Sequence, residues 1–426
     1  MSDIIWMAPP IRSGPFFLMT LWKYLKSILY LLFDQTTMRI ASIDIFRALT
    51  MLFMIWVNDF WTLQDVPKWL EHATVNEDYL GFSDIIFPLF LFIVGLSIPH
   101  ALQKRLQRES RATIAKHILI RGLSLLLIGF FMVNYESIHA GKTLLGKSGW
   151  CLLMALGTVL IWTDWKRSPT APKWHPYLQA TGILLLLFLA VIYKGGHEGE
   201  EWMQPHWWGI LGLIGWAYLV NALYCLLTKG NLVALFCFWG FLNFLSILSH
   251  SSTPIELSAP LSYFSTIYTG TIPAFTAAGM LTATFLGKYK EKRLHMTLVS
   301  LFLFGLSNIV YGLGTRAIWG ISKLHATPSW LAVCTGIGCV LFVLLYYIAD
   351  IRKITGWAAF IAPAGTATLT CYMVPYFVYP LASITGFKFP NMLNNATLGL
   401  LVSFSFAILV VLFTGWLERK GYKLKL

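Results

Sequence analysis

Long apolar segments that are almost free of charge recur along this chain, and they constrain its fold more than any other feature. A helix needs roughly 20 such residues to span a bilayer. Segments of this kind occupy residues 43–61, 84–103, 117–134, 149–164, 177–194, 209–227, 231–249, 267–286, 295–313, 329–349, 358–381 and 396–416. Apolar and polar residues do not alternate within them, as they would in a membrane β-barrel. We therefore predict an all-α fold, a polytopic membrane helical bundle of about 12 spans, within a range of roughly 11–13.

The composition argues against an ordinary soluble protein. Hydrophobic residues make up 57% of the 426 positions and charged residues only 12%, and the mean hydropathy is +0.66. Such a chain carries more apolar surface than a soluble core can bury. No internal repeat or separate soluble domain is visible, so we treat residues 38–426 as a single transmembrane domain.

Lysine and arginine are concentrated in alternate loops, and the net charge is +13. The cationic loops are 104–116, 166–173, 288–293, 351–353 and 418–425. The loops between them are poor in Lys and Arg and richer in acids: 62–83, 135–142, 195–208, 250–266, 315–329 and the loop near Lys388. This alternation is the charge bias that orients membrane proteins. It predicts that both core ends face the cytoplasm, and it accounts for the positive charge without nucleic acid.

Residues 1–37 form an N-terminal extension whose placement the pattern leaves open. Its apolar stretch, residues 16–33, contains Lys23 and Lys26, and each lysine would cost about 2.5–3.5 kcal/mol near the centre of a span. We therefore expect an interfacial helix here. The alternatives are an additional span, or a biological start at Met38, directly before the core.

The loop between the first two spans carries the leading candidate for chemistry, His72. A loop histidine is more often a solvated side chain, but this one lies among acids and close to Asp84, which begins the next span. A carboxylate at a span is costly unless it is paired, and pairing with one imidazole nitrogen leaves the other as a base or nucleophile. The simpler account makes Asp84, with Ser83, the N-cap of its helix. The two accounts are compatible, and the pattern favours neither.

Polar residues at the ends of the first and third spans are candidates for binding. Asn58 and Asp59 end the first span on the outer face, where they either contact a substrate or mark the water interface. Asp44 and Arg47 are three residues apart near the cytoplasmic end, which suits an ion pair, although an arginine there also suits a phosphate. Arg121 lies at the same level, either to bind an anion or to extend its charged end into water.

A second outer loop combines cations with small polar residues. Arg316 and Lys323 lie on a face with few other cations, so they are either generic loop charges or contacts for a substrate or an outer acid. The segment KLHATPSW (323–330) places Lys323 together with Ser329 and Trp330 before the next span. Ser329 could also cap that helix.

The sequence predicts no metal site. The histidines show no HxxxH or HExxH spacing, and the six cysteines fall in or beside apolar segments without a CxxC pair. Such cysteines behave as small buried apolar residues. Phosphate-binding and dinucleotide-binding glycine motifs, and the GxSxG nucleophile motif, are also missing from the sequence.

Several of these residues lie in motifs of a known family: RIASIDIFRALT (39–50), Val57-Asn58, His72-Ala73-Thr74 and DIIFPLFLFIVGLS (84–97). The set resembles the transmembrane N-acetyltransferases that act on heparan α-glucosaminide, and equally their bacterial relatives associated with N-acetylglucosamine metabolism. The segment KLHATPSW resembles a later motif of the same family. The similarity is strong over residues 39–104, moderate over 267–380 and weak elsewhere.

The resemblance implies an acetyl-CoA-dependent N-acetyltransferase. Members of the family take an acetyl group from cytoplasmic acetyl-CoA, used as a co-substrate, and deliver it to the amine of a terminal glucosamine across the membrane. The catalytic histidine and the second acid of the family fall on His72 and Asp84. We expect Arg47 and Arg121 to bind the acetyl-CoA. We expect the sugar to be bound by Asn58, Asp59, Lys323, Ser329 and Trp330.

The sequence departs from the family pattern at several positions. Ala48 replaces a motif glycine, Val75 and His325 stand where tryptophans are common, and two extra residues separate His72 from Asp84. Two additional spans lie near residues 209–249, and the large lumenal domain of the animal enzyme is missing. These departures leave the histidine in place, but they leave the identity of the acceptor sugar open.

Two other functions remain as alternatives. An amino-sugar transporter would suit about twelve spans, but carriers place ionisable residues at the midplane of matched halves, whereas the polar residues here cluster at the two faces. An O-acyltransferase acting on a periplasmic glycan would need the same base. We expect an integral protein of a bacterial inner membrane. Its expected partners are an amino-sugar substrate, membrane lipid and a second copy in a homodimer, and not nucleic acid.

Overall fold

A computed structural model describes residues 40–251, 262–387, 390 and 393–426. The extension predicted for residues 1–37, and Lys388, lie outside these residues. The α-helices, numbered in chain order, are α1 Ala41–Asn58, α2 Ser83–Leu106, α3 Arg111–Glu136, α4 Gly146–Trp162, α5 His175–Val191, α6 Ile210–Thr228, α7 Leu232–Ser249, α8 Ser265–Tyr268, α9 Thr271–Gly314, α10 Arg316–Trp319, α11 Pro328–Tyr346, α12 Ala362–Thr366, α13 Thr368–Met373, α14 Pro375–Thr385 and α15 Ala396–Arg419. No strand longer than an isolated bridge occurs in this described part.

The predicted class, an all-α membrane bundle, is confirmed. Among the described residues, nine helices are long and apolar enough to cross a membrane, and a tenth span results if the pair Gly356–Thr366 and Thr368–Thr385, bent by 73°, counts as one. The shorter apolar helix α4 and the return segment of α9 supply the remaining predicted segments, so every predicted span falls on a helix. How many of them cross the bilayer stays a prediction.

Helix α9 is a hairpin rather than one straight rod. Its 44 residues are interrupted by a non-helical backbone at Arg293, with φ −149° and ψ 53°. The sulfur of Cys339 contacts Thr282 Oγ1 at 3.9 Å and the carbonyl of Leu301 at 3.3 Å, so residues before and after the break lie at the same level. The chain therefore reverses near Arg293, where the sequence predicted a loop between two spans.

The loops segregate to two opposite ends, as their charges predicted. At the acidic end, Gln64 N–H donates to the carbonyl of Asn394 at 2.9 Å and Tyr79 N–H donates to that of Ile321 at 3.2 Å. At the cationic end, both carboxylate oxygens of Asp350 accept bonds of 2.9 Å from the first amides of α1, and so cap that helix. We call these the outer end and the cationic end. Which one faces the cytoplasm stays a prediction.

Large apolar side chains are exposed on the sides of the bundle. Leu184 and Val191 on α5 are 65% and 80% exposed, and Val233 and Phe244 on α7 are 69% and 57% exposed. Surfaces of this kind are stable against lipid hydrocarbon and not against water. The chain is an integral membrane protein.

Small residues allow the central helices to approach closely. A Cβ added to Gly279 on α9 would lie 1.9 Å from the carbonyl oxygen of Phe92, and one added to Gly95 on α2 would lie 2.0 Å from that of Thr276. Gly365 on α12 packs in the same way against α1, next to Ala48. A glycine on the facing helix thus supplies the close approach at Ala48, where the family motif has its glycine.

We predict that Gly279→Ala destabilises the protein while Gly287→Ala, on the same helix, does not. The new methyl at 279 must push α2 and α9 apart, and overpacking of this kind costs about 1–3 kcal/mol. At 287 nothing lies within 4 Å of the added Cβ, so only the better helix propensity of alanine acts. Thermal unfolding of the two purified variants in detergent tests this. Equal melting temperatures would contradict the packing described here.

Candidate active site

The loop between α1 and α2 is folded tightly onto the start of α2. Phe82 N–H donates to the carbonyl of Trp69 at 2.8 Å, and the Ser83 hydroxyl donates to that of Leu70 at 2.5 Å. A Cβ on Gly81 would lie 1.8 Å from the carbonyl oxygen of Glu71. Only glycine fits there, and this close crossing brings His72 next to the first turn of α2.

His72 and Asp84 form a hydrogen-bonded pair. His72 Nδ1 lies 2.7 Å from Asp84 Oδ1, and the carboxylate is 1% exposed while the imidazole is 44% exposed. The other carboxylate oxygen accepts main-chain bonds from Ala73 at 2.9 Å and Gly81 at 3.3 Å. These donors compensate the cost of burying the charge, so the pairing predicted from the sequence is present.

The contacts of Nδ1 indicate which imidazole nitrogen carries the proton. Lys323 Nζ lies 3.2 Å from Nδ1 and 3.8 Å from Asp84 Oδ1. A deprotonated Nδ1 would turn its lone pair toward the carboxylate oxygen at 2.7 Å with no proton between them. The ammonium of Lys323 can only donate, and it then interacts with the Asp84 carboxylate rather than with Nδ1. We therefore assign the proton to Nδ1, donated to Asp84. The Nε2 lone pair is then left to act as a base or nucleophile.

Lys323 belongs to the same site. Its side chain is 25% exposed, and burial lowers the pKa of its ammonium below the ordinary value, although the Asp84 carboxylate acts in the opposite direction. The sequence predicted Lys323 in substrate binding, and the structure places it beside His72 and Asp84. A cation here could stabilise negative charge that develops on a carbonyl oxygen.

Two helix-capping interpretations of the sequence are wrong. Asp84 and Ser83 do not cap α2, because Asp84 turns back to the loop amides and Ser83 bonds to Leu70. Ser329 does not cap α11 either. Its N-cap is Thr327, whose hydroxyl accepts a 3.4 Å bond from the amide of Trp330.

Trp330 and Ser329 lie beneath the site. The indole of Trp330 is 1% exposed and donates a 3.1 Å bond to the main-chain carbonyl of Asp84. Ser329 is fully buried, 3.1 Å from the hydroxyl of Thr315. Both were predicted to bind substrate. In this conformation they support Asp84 and α11 from below, and direct contact with a sugar stays a prediction.

The second outer loop is clamped onto the first by Asp78. Its carboxylate accepts bonds from Arg316 Nε at 2.8 Å and from the amide of Ile321 at 2.6 Å. His325 Nε2 lies 3.0 Å from the carbonyl of Val75, which adds a second link. The clamp holds Lys323 next to His72. Sequence reasoning missed Asp78, although it treated Arg316 as a partner for an outer acid.

Asn58 and Asp59 lie apart from these contacts. Asn58 is exposed at the end of α1. Asp59 is 6% exposed and accepts a 2.6 Å bond from the hydroxyl of Tyr379 on α14. It therefore ties α1 to α14, and its predicted role in binding sugar stays a prediction.

A cavity of about 460 Å³ opens between the helices from the cationic end. Basic side chains line its outer part: Arg47, Arg105, His117, Arg121 and Lys425. Its inner part is apolar and reaches Met51, Met54 and Phe90. The cavity thus combines a cationic mouth with an apolar channel, which suits an anionic molecule with a long uncharged arm.

Arg47 and Arg121 both line this cavity, as expected for residues at one level. Arg47 makes the predicted ion pair with Asp44 at 3.2 Å, and it also donates to the hydroxyl of Ser97 at 2.5 Å. The guanidinium of Arg121 lies 4.9 Å from the ring centre of Tyr218. Their predicted contact with phosphate is not tested by these interactions.

The cavity stops short of His72. Phe90 lines its inner part and comes six residues after Asp84 on α2, which is about 9 Å along a helix. The described residues therefore contain a channel that approaches the His72 pair from the opposite end, and neither His72 nor Asp84 is part of its walls.

Within the described part of the chain, no three His, Cys, Asp or Glu side chains lie close enough together to hold a metal ion. The predicted lack of a metal stays a prediction.

The comparisons with known proteins agree with the motifs. Residues 39–145 match the family described as heparan-alpha-glucosaminide N-acetyltransferase, catalytic. The human heparan-alpha-glucosaminide N-acetyltransferase is 33% identical over 101 residues, and the mouse protein of that name is 32% identical over 101 residues. Each match covers 22% of this chain and only 14% of the relative. The resemblance found in the sequence is confirmed for this segment, which contains His72 and Asp84.

We predict that Asp78→Ala loosens both outer loops, whereas Lys68→Ala does not. Asp78 joins the loops through two charge-assisted bonds, and their loss should raise amide exchange in residues 320–327 by roughly three- to tenfold. Lys68 makes an exposed ion pair with Glu77 and lies 5.7 Å from the ring centre of Tyr79, and exposed contacts of this kind contribute little. Hydrogen–deuterium exchange measures both. Unchanged exchange in Asp78→Ala would show that the clamp does not hold the loops.

The same clamp should respond to acid. Burial opposes ionisation of Asp78, but the bonds from Ile321 and Arg316 outweigh it and lower the pKa of this carboxyl. The ionised carboxylate therefore stabilises the folded loops fully above the unfolded pKa of about 4. This stabilisation is lost as pH falls through the lower folded pKa. The difference in exchange between the wild type and Asp78→Ala should therefore be largest at neutral pH and vanish in acid. A difference independent of pH would contradict an ionised clamp.

Proposed function

We propose that this protein is a transmembrane acetyltransferase that carries an acetyl group from acetyl-CoA at the cationic end to the amine of glucosamine, or of a terminal glucosaminide, at the outer end. The observation that carries the proposal is the bond between His72 and the buried carboxylate of Asp84. It fixes the imidazole with Nε2 available, on the segment that resembles the catalytic part of the acetyltransferase family.

The proposed donor site is the cavity at the cationic end. Coenzyme A carries several phosphates, and the basic residues at the cavity mouth give them a favourable potential. Arg47 and Arg121 were proposed for this role from the sequence, and Arg105 and Lys425 line the same mouth. The uncharged arm and its thioester would follow the apolar channel toward α2.

Two chemical routes are consistent with the pair. In the first, His72 Nε2 takes a proton from the sugar ammonium, and the neutral amine attacks the thioester carbonyl; the C–N bond forms, the C–S bond breaks and the thiolate takes up a proton. In the second, Nε2 attacks the carbonyl, an N–C bond forms, the C–S bond breaks and the thiolate takes up a proton from the sugar ammonium. The neutral amine then attacks the acetyl-imidazole, so that the new C–N bond forms as the bond to Nε2 breaks, and the amine nitrogen loses its extra proton to the released imidazole. In both routes Asp84 orients the ring, and Lys323 stabilises charge on the carbonyl oxygen.

The transfer requires the side chains between the cavity and His72 to move apart. The candidates for displacement are aromatic side chains near the end of α1 and just before α2, where Phe82 packs edge to face against Phe53 and Trp56. Phe53 and Phe82 can change rotamer without breaking a hydrogen bond, whereas Trp56 donates a 3.2 Å bond to the carbonyl of Leu400. We therefore assign Phe53 and Phe82 the role of the barrier that opens when the donor arm enters.

The same proposal includes the membrane in which the protein lies and the molecules around it. We place the protein in a bacterial inner membrane with the cationic end in the cytoplasm, because Lys and Arg mark that side. Lipid surrounds the bundle and an amino sugar is the acceptor. We also propose that the protein forms a homodimer.

We predict that His72→Ala abolishes acetyl transfer. Loss of a general base or nucleophile should lower kcat by about 100- to 10,000-fold. His197→Ala is the matched control, because His197 is an exposed histidine in another outer-end loop, and it should retain full activity. The assay supplies labelled acetyl-CoA on one side of sealed vesicles and glucosamine on the other, and measures labelled N-acetylated sugar.

Each outcome of this assay has a meaning. N-acetylated sugar formed only with intact His72 supports the proposal. Unmodified sugar that crosses the membrane would indicate a transporter, and acetyl ester on a glycan would indicate an O-acyltransferase. Full N-acetylation by His72→Ala would remove the imidazole from the mechanism.

A further inference from the structure

A second groove lies on the lipid-facing side of the bundle, away from the candidate active site. Its volume is about 380 Å³, and its walls are formed by Leu232, Val233 and Phe236 of α7 together with residues from both arms of the α9 hairpin: Leu281, Thr282, Phe285, Ser300, Leu301 and Phe304. The walls are almost entirely apolar. A groove of this size, within the roughly 300–1,000 Å³ of ordinary ligand sites, can hold a hydrocarbon chain but offers little to a polar molecule.

Cations are concentrated directly beyond the cationic-end mouth of this groove. The tip of the α9 hairpin contains Lys288, Lys290, Lys292 and Arg293, with Glu291 as the acid among them. Lys288 follows the groove residue Phe285 by three positions, so the two share a helix face.

The start of α7 adds positive potential at the same mouth. Asn231 caps this 18-residue helix by accepting bonds from Val233 N–H and Ala234 N–H at 3.0 Å each, and Lys229 comes just before it. The first helical residue, Leu232, is itself a groove wall. The positive end of the helix dipole therefore lies at the groove wall.

We propose that this groove is a specific site for an acidic glycerophospholipid. One acyl chain lies in the groove between α7 and the two arms of α9, and the anionic headgroup contacts Lys288, Lys292 and the start of α7. Charge complementarity favours this occupant. A neutral lipid would fill the groove without an anion to pair with the cations, and a soluble phosphate would pair with the cations without filling the groove. The lipid bridges the two arms of α9 on either side of the break at Arg293.

This site is independent of the acetyltransferase proposal. It uses none of the residues around His72 or the basic cavity, so it can be tested by binding to the full chain in detergent. The probes are phosphatidylglycerol, phosphatidylcholine with the same acyl chains, and glycerol phosphate as the headgroup alone.

We expect phosphatidylglycerol to raise the melting temperature of the wild type saturably, as a ligand that binds only the folded state must. Phosphatidylcholine should act only at severalfold higher concentration, and glycerol phosphate should have no effect. Equal effects of the two phospholipids would overturn the charge selectivity, and stabilisation by glycerol phosphate alone would indicate a headgroup site without the groove.

Two sets of variants test the two halves of the site. Ser300→Phe fills the groove and should abolish the saturable effect, whereas Ser307→Phe, at an exposed serine of the same arm that does not line the groove, should keep it. Lys288→Gln combined with Lys292→Gln leaves the groove open. The double substitution should weaken the binding of phosphatidylglycerol by roughly fivefold per lysine.

The lysine variant keeps the test decisive if Ser300→Phe fails to fold, because both lysines are exposed. Undiminished preference for phosphatidylglycerol in that variant would overturn the proposal, as would an unchanged saturable effect in a folded Ser300→Phe protein.

Discussion

The outer end of the bundle depends on the buried carboxylate of Asp84. An ionised group with 1% exposure is tolerated only if donors surround it, and the donors here come from separate parts of the chain. The loop amides of Ala73 and Gly81, the imidazole of His72 and, at longer range, the ammonium of Lys323 all converge on it. The carboxylate thereby determines how the first loop folds and which imidazole nitrogen remains available. The same group thus meets a requirement of folding and a requirement of the proposed catalysis.

The cationic end of the bundle contains basic and apolar side chains in place of the buried carboxylate of the outer end. The cationic end has arginines around a cavity, and the cavity narrows into apolar walls as it approaches α2. The basic cavity mouth and the His72 pair thus lie at opposite ends of the bundle with apolar side chains between them. The proposed transfer needs this arrangement, because a small group would cross the membrane while its carrier and acceptor stay in water. In the proposed mechanism, the donor arm displaces the side chains between Phe90 and His72. Close glycine contacts between α2 and α9 hold the walls in place around this path.

Much of this could be predicted from the sequence, because the relevant signals are local. Span length, loop charge and the motif around His72 each depend on neighbouring residues. They predicted, in turn, the helical bundle, the separation of the loops into two ends and the pairing of His72 with Asp84. Contacts between distant segments were not accessible in this way. The Asp78 clamp joins positions more than 200 residues apart, and the cavity is formed by five or more helices. The capping errors have the same origin, since Ser83 and Asp84 fit a local cap until the folded loop offers them nearer partners. The predicted loop at 288–293 is instead the helical tip of a hairpin, because a single non-helical residue suffices to reverse the chain.

The account rests on a path for a thioester from the basic cavity to His72. A cryo-electron microscopy map of the protein with coenzyme A bound tests this most directly. The account predicts phosphates near Arg47 and Arg121, displaced aromatic side chains beyond Phe90, and the coenzyme sulfur within about 4 Å of His72 Nε2, a near-attack distance. Coenzyme A bound elsewhere, or bound in the cavity with its sulfur still on the far side of an intact apolar layer, would contradict it.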